Sequence, residues 1–272
     1  MTAADGLRKL AIVPAYNEEG MIARVVREIR RSAPGFDVLV VDDGSTDATA
    51  AEAESTGATV LSHPFNLGIG GAMQSGYKYA LRHDYDIAVQ VDGDGQHKPS
   101  YLEDMVAALQ VDGQADMVYG SRFRGDPGYR VPLGRRAGNL IFSVVLTAIT
   151  RQKITDPTSG FRMTNRHGIE LFARDYPHDY PEVEAILMLH AHHLRIHEVP
   201  VRMNARGFGR SSIDYPRSAY YMVKVLLALF VGLFRRRPTP MDRQPDQPEG
   251  EPTAPGAAVS GSTETTDAPG TR

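Results

Sequence analysis

The stretch DIAVQVDGDGQH, residues 86–97, decides the fold, because an apolar run ends there in a glycine-rich turn that carries two aspartates. Only one glycine separates Asp92 from Asp94, so their repulsion costs free energy unless something positive lies beside them. A divalent cation would supply that charge, and hard carboxylate oxygens suit Mg²⁺ or Mn²⁺. The alternative is an Asx turn that caps the following helix. The pair therefore predicts either a metal site or a capped turn at the end of a strand.

Apolar runs and helical patterns alternate along much of the chain. A run at residues 7–14 and a second run at residues 37–43 enclose a segment of helical spacing. The apolar positions of that segment are Met21, Ile22, Val25, Val26 and Ile29. The pattern recurs with short Gly, Asp and Asn connections, and it predicts a doubly wound α/β domain over about residues 7–122.

Polar clusters follow three of the predicted strands: PAYNEE after the first, VDDGSTD after the second and VDGDGQH after the fourth. In open sheets of this kind, ligands bind at the carboxyl ends of the strands. We expect Asp42 and Asp43 of the second cluster to accept hydrogen bonds from the ribose and base of a nucleotide. A dinucleotide-binding fold is excluded, because Pro14 and its neighbours stand where that fold needs a G-x-G-x-x-G turn.

A second glycine-rich stretch, NLGIGGA at residues 66–72, leads into a helical segment. Its backbone can approach a phosphate or a ribose, which makes Asn66 and Gly71 candidate nucleotide-binding residues. A plain tight turn would explain the same glycines equally well.

Composition sets the class of protein. The 272 residues are 42% hydrophobic, which is enough for one large domain with a substantial core. The chain has no cysteine, which excludes disulfides, thiolate metal sites and cysteine nucleophiles. No secretory signal is visible at the start, where the first apolar segment is short and ends at a proline, so we expect a cytoplasmic protein.

The C-terminal residues differ from the rest of the chain. Residues 238–272 are rich in Pro, Gly and Thr, and they contain six acidic residues and two arginines. They lack a long aliphatic run and cannot bury enough surface to offset the entropy of ordering. We therefore expect a disordered acidic tail that accounts for the formal net charge of −3.

In this order, the motifs IVPAYNEE, VVDDGSTD, NLGIGGAMQSGY, VDGDGQH, YGSRF and DPTSGFR resemble the family-2 glycosyltransferases of the GT-A fold. The chain resembles in particular the polyprenyl-phosphate glycosyltransferases typified by dolichol-phosphate mannose synthase. The resemblance covers about residues 8–215. It implies an α/β fold with a Rossmann-like mixed sheet flanked by helices, and a GT-A domain over residues 1–215.

The resemblance also implies roles for individual residues. The residues expected to line the nucleoside pocket are Pro14, Tyr16, Glu18 and Asp43. The expected ligands of a Mg²⁺ or Mn²⁺ ion are Asp92, which also belongs to the nucleotide site, Asp94 and Gln96. The expected catalytic residues, of which the two arginines would meet phosphates, are Arg122, Arg136 and Asp156.

Two apolar stretches bear on membrane contact. Residues 139–150 and residues 219–234 are both shorter than the roughly 20 residues that a spanning helix needs. The first stretch fits a core helix as well as a membrane-facing one. Three arginines follow the second stretch, so we expect residues 216–237 to form an amphipathic helix that lies on an anionic membrane surface. The expected location is the inner face of the cell membrane, with the protein bound peripherally.

These features predict a metal-dependent, inverting transfer of one sugar from a UDP- or GDP-sugar to polyprenyl phosphate. A lipid phosphate is already an anion and hardly needs a general base, whereas it does need arginines. The arginines that follow the metal motif are Arg122, Arg124, Arg135, Arg136, Arg162, Arg202, Arg206 and Arg210. One departure from the family is Ser212 in GFGRSSI, where related enzymes often have a lysine.

Two alternatives remain open at this point. The acceptor of the same donor chemistry could be a sugar hydroxyl in a polysaccharide or glycolipid, with Glu184 or Asp156 as the general base. The chain could also be a non-catalytic subunit that binds nucleotide sugars. We expect no nucleic-acid partner, whereas a membrane protein or a second copy of the chain is a further candidate partner.

Overall fold

The computed structural model describes residues 6–111, 115–125, 133–178 and 180–204, together with residues 224 and 227. The strands in these ranges are β1 (Lys9–Ala15), β2 (Phe36–Asp42), β3 (Thr59–Ser62), β4 (Ile87–Gln90), β5 (Met117–Ser121), β6 (Arg162–Thr164) and β7 (Ile196–Pro200). The α-helices are α1 (Ile22–Ser32), α2 (Thr49–Ser55), α3 (Gly68–Arg82), α4 (Leu102–Gln110), α5 (Leu133–Thr150), α6 (Arg166–Arg174) and α7 (Pro181–Ala191).

The strands form one mixed sheet in the order β3-β2-β1-β4-β6-β5-β7. The first four strands pair in parallel, β6 runs antiparallel to both β4 and β5, and β7 is parallel to β5. The carboxyl ends of β1, β2, β4 and β5 therefore lie along one edge of the sheet, which we call the site edge. The segment that precedes β6 also lies there, because the reversed strand begins at the site edge.

Helices cover the sheet on both faces. The central strands β1, β2 and β4 are almost entirely buried, as parallel strands with helices on both faces are. On one face, α1 and α4 pack on the strands through residues such as Ile22, Val25 and Met105. On the other face, α3 packs against β1 and against α6. The strands that present the polar clusters at their carboxyl ends are therefore packed on both faces.

The predicted fold class, an α/β mixed sheet flanked by helices, is confirmed. The structure extends the sheet beyond residue 122, because β6 and β7 add two strands next to β5. The predicted membrane-interface helix at residues 216–237 and the predicted tail at residues 238–272 lie outside the described residues, except for Lys224 and Leu227. These two residues are helical, and both side chains are exposed.

Helix α5 contains the first of the two apolar stretches. Phe142 and Leu146 are buried against the domain, whereas Leu140, Ile141 and Val144 are exposed. The helix therefore has apolar residues on two sides: one side packs into the core, and the other is an exposed apolar surface. Within the described ranges, no helix combines the length and hydropathy that crossing a bilayer requires.

The close approach of α3 to the sheet depends on Gly76. A Cβ atom at this position would lie 2.4 Å from Cγ2 of Ile12 on β1, which is far shorter than a van der Waals contact. Gly76 belongs to the motif NLGIGGAMQSGY, so one glycine of that motif serves the packing of α3 on the sheet.

We predict that Gly76→Ala lowers the free energy of unfolding by about 1–3 kcal/mol, because the added methyl group overpacks the interface between α3 and β1. Urea unfolding followed by circular dichroism measures this change. Gly35→Ala is the matched control, since its Cβ would meet only the flexible end of Lys9, at 3.3 Å from Nζ. The control should stay within about 1 kcal/mol of the wild type. Equal stability of the two variants would contradict the packing argument.

Candidate active site

The loops after β1 and β2 form one connected rim at the site edge. Asn17 has a left-handed backbone with φ of 53°, and its amide donates to Ser45 Oγ at 3.0 Å. Its side-chain Oδ1 accepts from the Thr46 amide at 2.9 Å. The Glu18 amide donates to Thr49 Oγ1 at 2.8 Å. These bonds hold the first polar cluster against the second.

Four of the predicted nucleotide-binding residues lie on this rim. Pro14 is buried at the end of β1, whereas Tyr16 is 48% exposed and Glu18 is half-buried. Asp42 is buried, and its Oδ1 accepts from the Ser45 amide at 3.1 Å. An exposed aromatic ring at a strand end is available for stacking on a base. The contacts of these residues with a nucleoside stay a prediction.

Asp43 is engaged by the protein itself. Its carboxylate accepts from the amides of Leu67 at 2.9 Å and Gly68 at 2.8 Å, at the start of α3. The same carboxylate lies 2.7 Å from His63 Nδ1, and the other ring nitrogen of His63 lies 2.9 Å from Ser75 Oγ. A negative charge at a helix N-terminus is stabilising. Asp43 thus ties the end of β2 to α3, and its predicted contact with a nucleoside stays a prediction.

The second glycine-rich stretch separates into an exposed and a packed part. Asn66 is exposed, and its Oδ1 accepts from the Gly68 amide at 3.0 Å. Gly71 is buried, and a Cβ there would lie 2.6 Å from Cβ of Leu67. The absence of a side chain at Gly71 therefore serves the first turn of α3. Nucleotide contacts of Asn66 and Gly71 stay predictions.

The turn after β4 carries the two aspartates beside the rim. Gly93 packs so closely on β1 that a Cβ there would lie 3.1 Å from the Pro14 carbonyl oxygen. Asp94 Oδ1 accepts from the Gln96 amide at 3.0 Å, which is the Asx turn that the sequence offered as the alternative to a metal site. Because such a turn uses one lone pair of one carboxylate oxygen, it is compatible with metal binding.

The chemistry of this turn fits a hard divalent cation. The Asp92 side chain is 34% exposed. Within the described ranges, no group of three or more His, Cys, Asp or Glu side chains is arranged to hold a metal ion. Mg²⁺ does not need such a cage, because proteins commonly hold it by one or two carboxylates together with phosphate oxygens and water. The two aspartates are therefore a sufficient protein contribution if a diphosphate is bound beside them.

Two residues that the sequence analysis missed hold Asp92. Gln90 Nε2 donates to Asp92 Oδ1 at 2.8 Å. The Asp92 amide donates to His97 Nδ1 at 3.0 Å, so the proton of this imidazole is on Nε2, which lies 3.6 Å from Asp92 Oδ2. The His97 ring is buried and stacks on Phe161, with ring centroids 4.8 Å apart. The Asp92 carboxylate thus accepts a hydrogen bond from Gln90, and His97 accepts one from the Asp92 backbone amide.

A buried polar row crosses the sheet from Gln90. Gln90 on β4 is paired in register with Arg162 on β6, Arg162 with Tyr119 on β5, and Tyr119 with Glu198 on β7. These four residues are at most 4% exposed. Arg162 donates to Gln90 Oε1 at 3.3 Å and to the Pro181 carbonyl at 3.0 Å, with Cζ 5.7 Å from the Tyr119 ring centroid. This arginine is an internal residue, although its sequence position suggested phosphate binding.

Arg122 and Asp156, two predicted catalytic residues, are partners in a buried ion pair. Arg122 donates from Nε to Asp156 Oδ2 at 2.7 Å and from Nη2 to Oδ1 at 2.8 Å. The Arg122 amide adds a bond to Oδ2 at 3.0 Å, and Thr158 Oγ1 lies 3.2 Å from Oδ1. Asp156 is fully buried. Its place at the reaction centre stays a prediction, and in this geometry its carboxylate holds Arg122.

Glu198, at the β7 end of the polar row, holds the backbone of Asp156, the partner of Arg122. Glu198 Oε1 accepts from the amides of Thr155 at 2.8 Å and Asp156 at 3.0 Å. Its Oε2 accepts from Thr155 Oγ1 at 2.7 Å. The row therefore contacts Asp92 through one terminal residue and Asp156 through the other.

Arg136 lies on the second turn of α5 and is exposed. Three residues later, Asn139 donates to the Thr155 carbonyl at 2.7 Å and accepts from Thr158 Oγ1 at 3.2 Å. Residues three apart on a helix are neighbours on its surface. Arg136 is thus one turn from the side of α5 that touches the Asp156 loop, and its phosphate contact stays a prediction.

The first turn of α7 brings a carboxylate close to Asp92. Desolvation raises the pKa of Glu182; the positive charge of Arg162 offsets part of this shift, and the negative charge of Asp92 adds to it. Glu184, the residue that the sequence suggested as a base, is half-buried in the same turn. The negative charge of Asp92 thus acts on Glu182, a residue that the sequence analysis did not consider as a base.

Comparison with known proteins identifies the family of this chain. The family model described as glycosyl transferase family 2 matches residues 10–172. The chain therefore belongs to glycosyltransferase family 2 and is a glycosyltransferase.

Two relatives and one solved structure illustrate the similarity. The undecaprenyl-phosphate mannosyltransferase of Micrococcus luteus is 31% identical over 76% of this chain and 88% of its own length. The UDP-N-acetylglucosamine–dolichyl-phosphate N-acetylglucosaminyltransferase of Methanococcus voltae is 30% identical over 70% and 83%. Glucosyl-3-phosphoglycerate synthase of Mycobacterium tuberculosis, solved with Mn²⁺, UDP and phosphoglyceric acid, shares the fold. Its TM-score is 0.63 at 21% identity, covering 83% of this chain and 78% of that one.

We predict that Asp156→Asn lowers the free energy of unfolding by about 3–5 kcal/mol, because it leaves the buried Arg122 without its counter-charge. Urea unfolding measures the change. Asp84→Asn is the matched control: it removes the charge from a surface pair, Asp84 Oδ1 to Arg166 Nη2 at 3.2 Å. The control should lose less than about 1 kcal/mol. A loss as small for Asp156→Asn would show that the buried pair contributes little.

Proposed function

We propose that this glycosyltransferase moves a single sugar, with inversion, from a UDP- or GDP-sugar to polyprenyl phosphate at the cytoplasmic face of the membrane. The two relatives described above bear names that specify a lipid phosphate acceptor and two different sugars. The acceptor class is therefore proposed here, whereas the sugar is left open.

The observation that carries this proposal is the outer surface of α5. Leu140 and Val144 are 62% and 60% exposed, and Ile141 beside them is also exposed. Arg136, Leu140 and Val144 follow at spacings of four residues, which places them in one row along the helix. An arginine at the start of an apolar row matches a molecule with a phosphate head and a hydrocarbon chain.

The protonation chemistry favours an acceptor that is already an anion. Asp156, one of the two proposed bases, has both carboxylate oxygens bonded to Arg122. Taking a proton there would break a buried ion pair. A phosphate monoester has its second pKa near 6, so it attacks without a general base. The residues of the site then orient the two substrates and hold the leaving group.

On the donor side, the proposed roles follow the position of each residue. Tyr16 and Asp42 on the rim would contact the nucleoside, while Asp92 and Asp94 would hold Mg²⁺ or Mn²⁺ together with the diphosphate. A cation bound there would neutralise the nucleoside diphosphate as it leaves. Arg122, held by Asp156, would present its guanidinium near the phosphates.

The proposed location is peripheral, with α5 and the segment around residues 216–237 on an anionic membrane surface. The exposed apolar row of α5 supports contact with a lipid surface. A membrane protein or a second copy of the chain is a further possible partner of this surface.

We predict that purified protein transfers label from a UDP- or GDP-sugar to a short polyprenyl phosphate. The product should extract into organic solvent and break down in mild acid, as a glycosyl phosphate does. Leu140→Ser combined with Val144→Ser should raise KM for the lipid at least about tenfold, because burying such a side chain is worth about 1.5–3 kcal/mol. Val111→Ser, at an exposed apolar residue directly after α4, is the control. An unchanged KM for the lipid would remove α5 from the acceptor site.

The second candidate function keeps the donor chemistry but uses a sugar hydroxyl as the acceptor. Glu182 favours it, since its raised pKa suits a general base. Removing a base costs about 10²–10⁴-fold in rate. If Glu182→Gln or Glu184→Gln is inactive and the product resists mild acid, the acceptor is a hydroxyl. Activity within about tenfold of the wild type supports the phosphate acceptor.

We predict that EDTA reversibly stops turnover and that Asp94→Asn lowers kcat about a thousandfold or more, since a catalytic cation contributes several kcal/mol of charge stabilisation. Steady-state rates with added Mg²⁺ or Mn²⁺ measure both effects. Asp104→Asn, which removes an exposed carboxylate from α4, should keep the wild-type rate. Full activity in EDTA would contradict metal dependence.

A further inference from the structure

We propose that Gln90 and Arg162 are positioning residues for Asp92: the buried guanidinium fixes the orientation of the Gln90 amide, and the amide orients the carboxylate toward the metal and donor. This inference rests on the proposed function, because it assigns the residues that aim one of its metal ligands.

Register explains how the three residues meet. Gln90 and Asp92 are two residues apart at the end of β4, so their side chains extend from the same face. Gln90 is directly opposite Arg162 in the antiparallel pairing of β4 with β6. The antiparallel strand β6 therefore places the guanidinium of Arg162 beside Gln90, two residues before Asp92.

The charge of Arg162 decides which way the amide points. An amide can present either its oxygen or its nitrogen to a neighbour, and the two orientations have nearly the same shape. A guanidinium can only donate, so it bonds to the Gln90 oxygen Oε1, which accepts, and disfavours the nitrogen Nε2 in that place. With Oε1 bonded to Arg162 at 3.3 Å, Nε2 must face Asp92, where it donates at 2.8 Å. The buried charge of Arg162 thus fixes the orientation of the Gln90 amide, with its nitrogen donating to Asp92.

The arrangement leaves little room for alternative orientations. Gln90 and Arg162 are each 1% exposed, so both partners are shielded from bulk water. A Cβ atom at Gly160 would lie 3.0 Å from Asp92 Oδ2 and 3.1 Å from Gln90 Nε2. Gly160, in the DPTSGFR motif, therefore provides the space in which the Gln90–Asp92 bond forms.

The consequence for the metal is a carboxylate with one oxygen occupied by the protein. Gln90 uses Oδ1 of Asp92, and the one-third exposed side chain retains Oδ2 for a ligand, with His97 Nε2 at 3.6 Å. Partners of this kind, which orient a metal ligand without touching the metal, typically change metal affinity by 10–100-fold when they are removed.

The test measures Mn²⁺ affinity by electron paramagnetic resonance of the free ion, with Mn²⁺ alone and with UDP or GDP added. Gln90→Leu removes the donor while keeping an apolar group of similar size, and its dissociation constant for Mn²⁺ should rise about tenfold. Gln152→Leu is the matched control, because the Gln152 amide accepts from the Ile196 amide at 3.0 Å, at the start of β7 and opposite the site edge. The control should keep the wild-type affinity for Mn²⁺.

A double-mutant cycle separates positioning from general damage. Arg162→Met should also weaken Mn²⁺ binding, but it should add nothing when Gln90 is already leucine, because the guanidinium acts through the amide. Urea unfolding identifies variants that remain folded. If Arg162→Met does not fold, Gly160→Ala takes its place, since its Cβ would press on the same bond and should weaken Mn²⁺ binding as well.

The outcomes distinguish this inference from the proposed function. If Asp94→Asn weakens Mn²⁺ binding and folded Gln90→Leu does not, the metal site stands and the positioning role is overturned. Additive effects of Gln90→Leu and Arg162→Met would also overturn it. If the wild type binds no Mn²⁺ under any of these conditions, the metal site and the positioning role both fall.

Discussion

The full positive charge of Arg162, buried in the middle of the sheet, is the constraint on which the site depends. A buried guanidinium must have acceptors around it, because desolvation is otherwise too costly. The protein meets part of this need with the Gln90 amide, the Pro181 carbonyl and the face of Tyr119, whereas the guanidinium Nε has no hydrogen-bond partner among the described residues. Each of these groups belongs to a different part of the chain, so the charge holds β4, β5, β6 and α7 in one arrangement.

The sequence predicts the first part of the sheet well and the second part poorly. Strands β1, β2 and β4 are long or strongly apolar runs that end at polar turns, and burial on both faces leaves a clear pattern. Strand β6 is only three residues long and begins with an arginine, so its sequence carries no such signal. Its position depends on pairings with β4 and β5 that connect residues more than forty positions apart.

The site shows the same division between local and distant causes. The position of Asp92 and Asp94 on a turn after a buried strand was predictable, because the apolar run, the glycines and the two carboxylates are neighbours in the sequence; their metal role stays a prediction. The contact of Gln90 with Asp92 was not predictable, since the orientation of the Gln90 amide depends on Arg162, 72 residues away. Arg162 was one of eight arginines that the sequence analysis considered for phosphate binding. Its 1% exposure and its bonds to Gln90 and Pro181 show that it is an internal residue. The sequence also did not reveal that the Asp156 carboxylate is bonded to Arg122; the predicted place of Asp156 at the reaction centre stays a prediction.

Because β6 runs against its neighbours, the segment before it spans the site from end to end. Ile154 accepts a hydrogen bond from Ser143 on α5, and six residues later Gly160 lies against the Asp92 carboxylate. A short stretch of backbone therefore connects α5, for which we propose lipid contact, to the turn that carries Asp92, and its bond lengths and backbone angles limit the distance between them. Bringing two reactants into line requires accuracy well below an ångström. In this chain, the seven residues from Ile154 to Gly160 limit how far α5 and Asp92 can move apart.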